Sequence, residues 1–207
     1  KITELKNPLS SKLDQMSTNQ IVELINSEDS KISLVIKEII PRISDLINKI
    51  IQNIKNGGRL IYVGSGTSGR LGVLDASECP PTFNVKSNLV VGIISGGANA
   101  LHTSIEGAED DTELAINDIK KYKINKSDTI IGISTSGTTP YVHKFLEESK
   151  KIGSFTSILT ANKIKKKSYI DDYIEFIVGS EILTGSTRMK AGTATKMILN
   201  IISTTTM

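Results

Sequence analysis

The sequence predicts an α/β fold in which a five-stranded parallel sheet is flanked by helices on both faces and preceded by a helical N-terminal arm. Short β-branched runs alternate with amphipathic segments in the second part of the chain, which is typical of a doubly wound sheet. Before them, apolar residues recur at helical spacing. The 207 residues are 38% hydrophobic and 23% charged, a balance that supports one sizeable core.

The arm is predicted to contain two helices. Ser17 is followed three residues later by Gln20, the pattern of a capping box, so the first helix is expected over residues 17–26. The second helix is expected over 28–56, where apolar residues recur every three or four positions until a pair of glycines ends the pattern. Pro41 lies inside it and predicts either a kink or two helices that meet just before it.

Five buried strands are predicted after the arm. They are RLIYVG (59–64), NLVVGIIS (88–95), DTIIGIS (128–134), FTSILT (155–160) and YIEFIVG (173–179). Helical segments are expected between them, notably over 108–122 and 139–151. The chain therefore divides into an arm, residues 1–56, and a sheet domain, residues 57–207.

Composition argues against several classes of function. The net charge of +3 is small and there is no Trp, so the chain offers little for nucleic-acid binding. No apolar stretch is long enough to span a membrane and no secretory signal precedes the domain, which predicts a cytoplasmic protein. With one cysteine, Cys79, and two histidines, neither a structural metal site nor a disulfide is expected.

Three segments near the predicted strand ends are rich in glycine and hydroxyl groups and free of carboxylates: GSGTSGR (64–70), STSGTT (134–139) and LTGSTRMKAG (183–192). In parallel sheets, ligands bind beyond the carboxyl ends of the strands. Backbone N–H groups, hydroxyls and helix N-termini together favour an anion, most simply a phosphate. The plainer interpretation is that these residues cap helices and form turns.

Other nucleotide and hydrolase motifs are weak or missing. The first loop fits G-x-G-x-x-G with Gly64, Gly66 and Gly69, but the next strand ends at Ser95 without the carboxylate that would hold a ribose. NAD is therefore disfavoured. The chain has neither a P-loop nor a G-x-S-x-G elbow.

Carboxylates gather in two segments that we expect near the same edge of the sheet. LDASECPPT holds Asp75 and Glu78, and the Cys79-Pro80-Pro81 run that follows predicts a rigid corner that aims Glu78. IEGAEDDTEL, residues 105–114, holds five acids, most of which are explained as the solvated N-terminus of a helix.

At these residues the sequence resembles a known family over nearly its whole length. GRLIYVGSGTSGRLGVLDASECPPTF, IEGAEDD, SGTTPYV and LTGSTRMKAGTATKMILN resemble the sugar isomerase (SIS) fold of the N-acetylmuramic acid 6-phosphate etherases. The resemblance implies cleavage of the D-lactyl ether of N-acetylmuramate 6-phosphate to N-acetylglucosamine 6-phosphate and D-lactate. It also implies a further helical region after this chain, a homodimer, and no cofactor or metal.

The resemblance also implies roles for individual residues. Glu109 is expected to be the base that removes the C2 proton, and Glu78 the acid that protonates the leaving lactate, held protonated by drier or more negative surroundings. The expected sugar-phosphate ligands are Ser65, Thr67, Ser68, Ser134, Ser136, Thr138 and Thr139. The family commonly has alanine at 65 and arginine at 138; Arg188 or Lys190 could replace the missing charge, or simply begin a helix.

Two alternatives use the same fold. An aldose-ketose isomerase would also need a carboxylate base and an open-chain sugar. A non-enzymatic sugar-phosphate sensor would keep the pocket without catalysis, against which both Glu78 and Glu109 argue. A DNA-binding regulator would need a helix-turn-helix, which residues 1–56 do not show.

Overall fold

The structure is a computed structural model that describes all 207 residues, and its centre is a five-stranded, fully parallel sheet. The strands are β1 (Leu60–Gly64), β2 (Val90–Ile94), β3 (Thr129–Ile133), β4 (Phe155–Thr160) and β5 (Asp172–Glu175). Their spatial order is β2-β1-β3-β4-β5. All five predicted strands are confirmed, with ends that differ by a few residues.

Six α-helices accompany the sheet. They are α1 (Thr18–Asp29), α2 (Ile32–Lys55), α3 (Gly66–Phe83), α4 (Thr112–Lys121), α5 (Pro140–Ile152) and α6 (Lys190–Thr206). The capping box at the start of α1 is confirmed: the Gln20 N–H donates to Ser17 Oγ, and the Ser17 N–H donates to Gln20 Oε1 at 2.8 Å. No helix is both long and apolar enough to cross a membrane.

Helix α2 is continuous through Pro41, so the predicted pair of helices meeting there is wrong. Pro41 lies on the exposed side of the helix, whereas Ile36 and Ile43 on either side of it are buried in the core. Packing of that apolar face keeps the helix together although proline removes one backbone hydrogen bond. Helix α2 shares a core with the sheet. The boundary between arm and sheet domain at residue 57 stays a prediction.

The sheet is covered on both faces. On one face α2, α3 and α6 pack against Leu60, Tyr62 and Ile131, and on the other α4 and α5 pack against Ile61 and Ile130. Successive strand residues point to opposite faces, which is why neighbours in sequence belong to different cores. The long isoleucine face of α2 is thus buried within the chain itself.

The topology creates a crevice at one end of the sheet. From β1 the chain crosses to β2 on one side, then returns to the other side of β1 to form β3. The connections that follow β1 and β3 therefore leave the sheet in opposite directions, and the gap between them is where ligands bind in folds of this order. The first and second hydroxyl-rich loops lie at this switch point.

Gly92 in β2 is required for the close approach of α3. A Cβ built on it would lie 2.5 Å from Val73 Cα, a backbone atom that cannot move without moving the helix. We expect Gly92→Ala to destabilise the fold by roughly 1–3 kcal/mol, the usual cost of overpacking, measured by urea denaturation. Gly192→Ala in α6 is the control, since its Cβ would meet only ordinary contacts at 3.4 Å or more; an equal loss in both variants would contradict this account.

Candidate functional site

A polar cavity of about 550 Å³, here called the main cavity, opens between the ends of β1 and β3. Its wall contains hydroxyl groups, two glycines and three carboxylates, but no apolar side chain apart from one proline. The lining residues are Lys1, Glu4, Ser65, Gly66, Thr67, Ser68, Glu109, Asp110, Thr135, Ser136, Thr138, Thr139, Pro140, Gly185 and Thr187. Six of the seven predicted sugar-phosphate ligands thus face one space.

The first loop brings the N-terminus of α3 to the main cavity. Ser65 is the N-cap residue, yet its side chain caps no N–H group and instead accepts a hydrogen bond from Ser95 Oγ at 2.7 Å. The free N–H groups of the first helical turn and the hydroxyls of Thr67 and Ser68 can therefore serve a ligand. Ser68 Oγ also lies 3.4 Å from Thr135 Oγ1, which joins the two loops.

Some hydroxyl groups of the loop after β3 stabilise the loop itself, and others line the main cavity. Ser134 is buried, and its Oγ lies 2.8 Å from Thr139 Oγ1, so this predicted ligand holds the loop together and does not line the cavity. Thr135, which sequence reasoning passed over, lines it instead. The N-terminus of α5 follows, and its N-cap residue Thr139 likewise caps no N–H group. The dipole of this second helix N-terminus therefore points at the cavity, but Pro140 has no N–H group and the Tyr141 N–H donates to the carbonyl of Glu109.

The third hydroxyl-rich segment behaves differently. The buried carboxylate of Glu181 accepts hydrogen bonds from the N–H groups of Lys190 and Ala191, at 3.0 and 2.9 Å, so the N-terminus of α6 is already occupied by an anion. Only Gly185 and Thr187 from this segment reach the main cavity. The segment contributes to the wall, but its helix offers no free anion site.

Neither Arg188 nor Lys190 supplies the positive charge that the arginine at position 138 supplies in the family. Lys190 is buried and its Nζ is 2.5 Å from Glu28 Oε2, and Arg188 lines no part of the main cavity. Burial raises the pKa of the Glu28 carboxyl, but the hydrogen bonds and charges of Lys190 and Lys31 outweigh it and lower that pKa to about 2. Lys1 supplies a cation at the cavity, donating from Nζ to Thr138 Oγ1 at 2.6 Å.

Glu109 is held at the wall of the main cavity by its own backbone. Its carbonyl accepts a hydrogen bond of 2.9 Å from the N–H of Tyr141 in the first turn of α5. This contact ties the loop before α4 to the start of α5, and Glu109 lines the cavity together with Ser65 and Thr139. A proton acceptor and the anion-binding loops thus share one space.

Glu78 lies far from this cavity, which corrects two expectations. Helix α3 continues through Pro80 and Pro81 to Phe83, so the rigid corner is wrong; the prolines fall in the last turn, and the helix ends shortly after them. Glu78 stands twelve residues after Gly66, about 18 Å along the helix axis. It is exposed to solvent, not in the dry surroundings expected of it.

Asp75 is also away from the cavity, in contact with α6. Its Oδ1 accepts a hydrogen bond from Ser203 Oγ at 3.1 Å, and burial raises the pKa of its carboxyl in spite of that bond. Asp75 therefore belongs to the packing between α3 and α6. No group of three or more His, Cys, Asp or Glu side chains is placed to hold a metal ion.

The chain is similar to curated etherases along its full length. It is 50% identical over 207 residues to N-acetylmuramic acid 6-phosphate etherase of Histophilus somni, covering 100% of this chain and 68% of the relative. It is 52% identical over 206 residues to the enzyme of the same name from Clostridium botulinum, covering 99% and 68%. The chain belongs to the N-acetylmuramic acid 6-phosphate etherase family.

Two further comparisons agree with the SIS fold of this etherase family member. Residues 42–150 match the family model described as glucokinase regulatory protein N-terminal SIS domain. A phosphoheptose isomerase from Neisseria gonorrhoeae superposes with a TM-score of 0.68 and 12% identity, covering 92% of this chain and 98% of that one. At that identity the likeness concerns the fold alone.

Proposed function

We propose that this chain cleaves the D-lactyl ether of N-acetylmuramate 6-phosphate, giving N-acetylglucosamine 6-phosphate and D-lactate. Its etherase relatives share about half of its residues from end to end. The observation that carries the mechanism is Glu109, a carboxylate in the same polar cavity as the uncapped N-terminus of α3 and the hydroxyl groups before α5. One site can then bind an anion and move a proton.

The 6-phosphate is assigned to the hydroxyl-rich part of the main cavity. Thr67 and Ser68 on α3, with Ser136, Thr138 and Thr139 before α5, offer hydroxyl donors around two helix N-termini. Anions are stabilised there by the free N–H groups at the start of α3 and by the dipoles of both helices. Holding this non-reacting group fixes the sugar relative to Glu109, a general source of rate.

Glu109 is assigned as the base. An alkyl ether resists direct displacement, but the open-chain sugar has an aldehyde at C1 that makes the C2 proton acidic. Glu109 removes that proton, the C3–O bond breaks, and lactate leaves with a proton supplied by an acid. Water then adds across the C2–C3 double bond, with its proton to C2 and its hydroxyl to C3, which completes the product.

We assign the acid to Glu78 of a second copy of the chain, because Glu78 lies too far along α3 to reach the main cavity of its own subunit. Leu74, one turn before Glu78 on the same side of α3, is 48% exposed. An exposed leucine beside an exposed carboxylate suits a surface covered by a partner. We therefore assign the function to a homodimer in which each subunit lends Glu78 to the other subunit's site.

The assay for D-lactate tests the activity itself. The protein is incubated with N-acetylmuramate 6-phosphate, and D-lactate is measured with a dehydrogenase-coupled assay. D-lactate in amounts equal to N-acetylglucosamine 6-phosphate is expected. A ketose phosphate without lactate would identify an isomerase, and binding without turnover would identify a sensor; either result overturns the proposal.

Glu78→Gln is expected to slow lactate release about 10²-fold while C2 proton exchange with solvent is affected less, because the acid acts after the base. Mixed dimers test whether each subunit lends Glu78 to the site of the other. A dimer of one Glu78→Gln subunit and one Glu109→Gln subunit keeps one complete site, so about half of the wild-type activity should return. An inactive purified mixed dimer, or a monomeric active enzyme, would contradict the shared site.

A further inference from the structure

A second cavity of about 330 Å³, here called the side cavity, adjoins the main one. The two share Ser65, Gly66 and Glu109, so the proposed base stands at their junction. The side cavity continues toward the loop that follows β2, and a cation, Arg70 from the second turn of α3, stands in its wall. The proposed reaction steps place no substrate group in the side cavity.

Arg70 is fixed in position without being neutralised. Its Nε donates to the carbonyl of Leu101 at 3.1 Å and its Nη2 to the carbonyl of Thr103 at 3.3 Å. No carboxylate lies within 4.0 Å of its guanidinium nitrogens, since it takes part in none of the ion pairs of the chain. A guanidinium has five N–H donors, so three remain for a ligand.

We propose that Arg70 binds the carboxylate of the lactyl group, and that the side cavity holds this part of the substrate. The inference rests on the proposed function. The substrate carries two anionic groups, and the main cavity accounts for the phosphate. The lactyl group is attached at C3, next to the carbon that Glu109 deprotonates, so its carboxylate must lie near Glu109 and away from the phosphate. The side cavity meets both conditions.

Charge supplies the second argument. Glu106 and Glu109 both line the side cavity, and a substrate carboxylate placed beside them would be repelled without a compensating cation. Arg70 is the cation that lines this space, and guanidinium groups bind carboxylates through paired, charge-assisted hydrogen bonds. Arg70 is therefore a specificity residue that distinguishes the ether substrate from sugar phosphates lacking the lactyl group.

Two ligands that differ only in the lactyl group test the role. In the active full-length protein, Arg70→Gln is expected to raise the KM for N-acetylmuramate 6-phosphate by roughly 10- to 100-fold, the usual effect of losing a charged hydrogen bond. The inhibition constant of N-acetylglucosamine 6-phosphate, which has no carboxylate, should change less than about twofold. Arg188→Gln is the control, because Arg188 is exposed and lines neither cavity.

The outcomes separate the possibilities. If both ligands weaken equally, Arg70 only holds the loop of Leu101 and Thr103, and the inference is overturned. An unchanged KM also overturns it while leaving the proposed function intact. Absence of D-lactate with the wild-type protein would instead show that the proposed function itself is wrong. Arg70→Lys should recover part of the lost affinity for the lactyl substrate alone, because it restores charge without the paired geometry.

Discussion

Glu109→Gln is expected to lower the rate of D-lactate release by about 10³-fold or more, near the upper part of the range for general base catalysis. The amide has nearly the same shape as the carboxylate but cannot accept the C2 proton. The backbone contact between the Glu109 carbonyl and the Tyr141 N–H does not depend on the side chain, so the loop should keep its position. Substrate affinity should therefore change far less than turnover.

Proton exchange at C2 supplies the independent measurement. When N-acetylglucosamine 6-phosphate is incubated in D₂O, the wild-type protein is expected to replace the C2 proton with deuterium, which ¹H NMR detects as loss of the signal. Glu109→Gln should abolish this exchange together with lactate release. Glu113→Gln is the control, an exposed carboxylate in the first turn of α4 that lines neither cavity. Normal exchange in Glu109→Gln would disprove its role as the base.

The fold followed from local pattern to a large extent. The five β-branched runs became the five strands because buried parallel strands need nearly continuous apolar residues. The Ser17 and Gln20 capping box operates within four residues, so it is readable from sequence alone. Pro41 left a kink and a break as alternatives, and the helix is unbroken because its apolar face is held by the core, which a local pattern does not reveal.

The site could be predicted only in part, since its geometry depends on contacts between distant segments. Ser134 and Thr135 have the same hydroxyl chemistry, and only the path of the loop decides that Thr135 faces the cavity. Glu181 ends up at the start of α6, nine residues later, where no sequence motif marks it as a cap. The length of α3 was not predicted either: the helix continues past Glu78 through Pro80 and Pro81, and this separates the two proposed catalytic groups.

The Glu28–Lys190 ion pair is the contact that joins α1 to the start of α6. Both side chains are 5% exposed, and Glu28 also accepts hydrogen bonds from Asn7 Nδ2 and from Lys31. Because Lys190 follows the segment that lines the main cavity, this pair connects the N-terminal arm to the wall of the site. Charged groups this deeply buried are tolerated only when they are paired.

Lys190→Met is expected to destabilise the protein by about 3–5 kcal/mol, because it leaves the buried Glu28 carboxylate without its main partner. Lys31→Met is the matched control: Lys31 contacts the same carboxylate, but its side chain is 58% exposed, so a loss of roughly 1 kcal/mol or less is expected. Urea denaturation at pH 7 measures both. Losses of equal size in the two variants would show that burial does not set the strength of this pair.

The stabilisation by the Glu28–Lys190 ion pair is expected to decrease on acidification. The pKa of Glu28 is lowered from 4.5 to about 2 in the folded protein, so the folded state holds fewer protons than the unfolded state between these values. The stabilisation is therefore complete above about pH 4.5 and is lost as the pH falls toward 2. The gap in stability between wild type and Lys190→Met should narrow over that interval, because the wild type loses the stabilisation that Lys190 gives to the Glu28 carboxylate, whereas the variant lacks that partner at every pH. A gap that stays constant from pH 7 to pH 3 would mean that Lys190 stabilises the fold by packing and not by its charge.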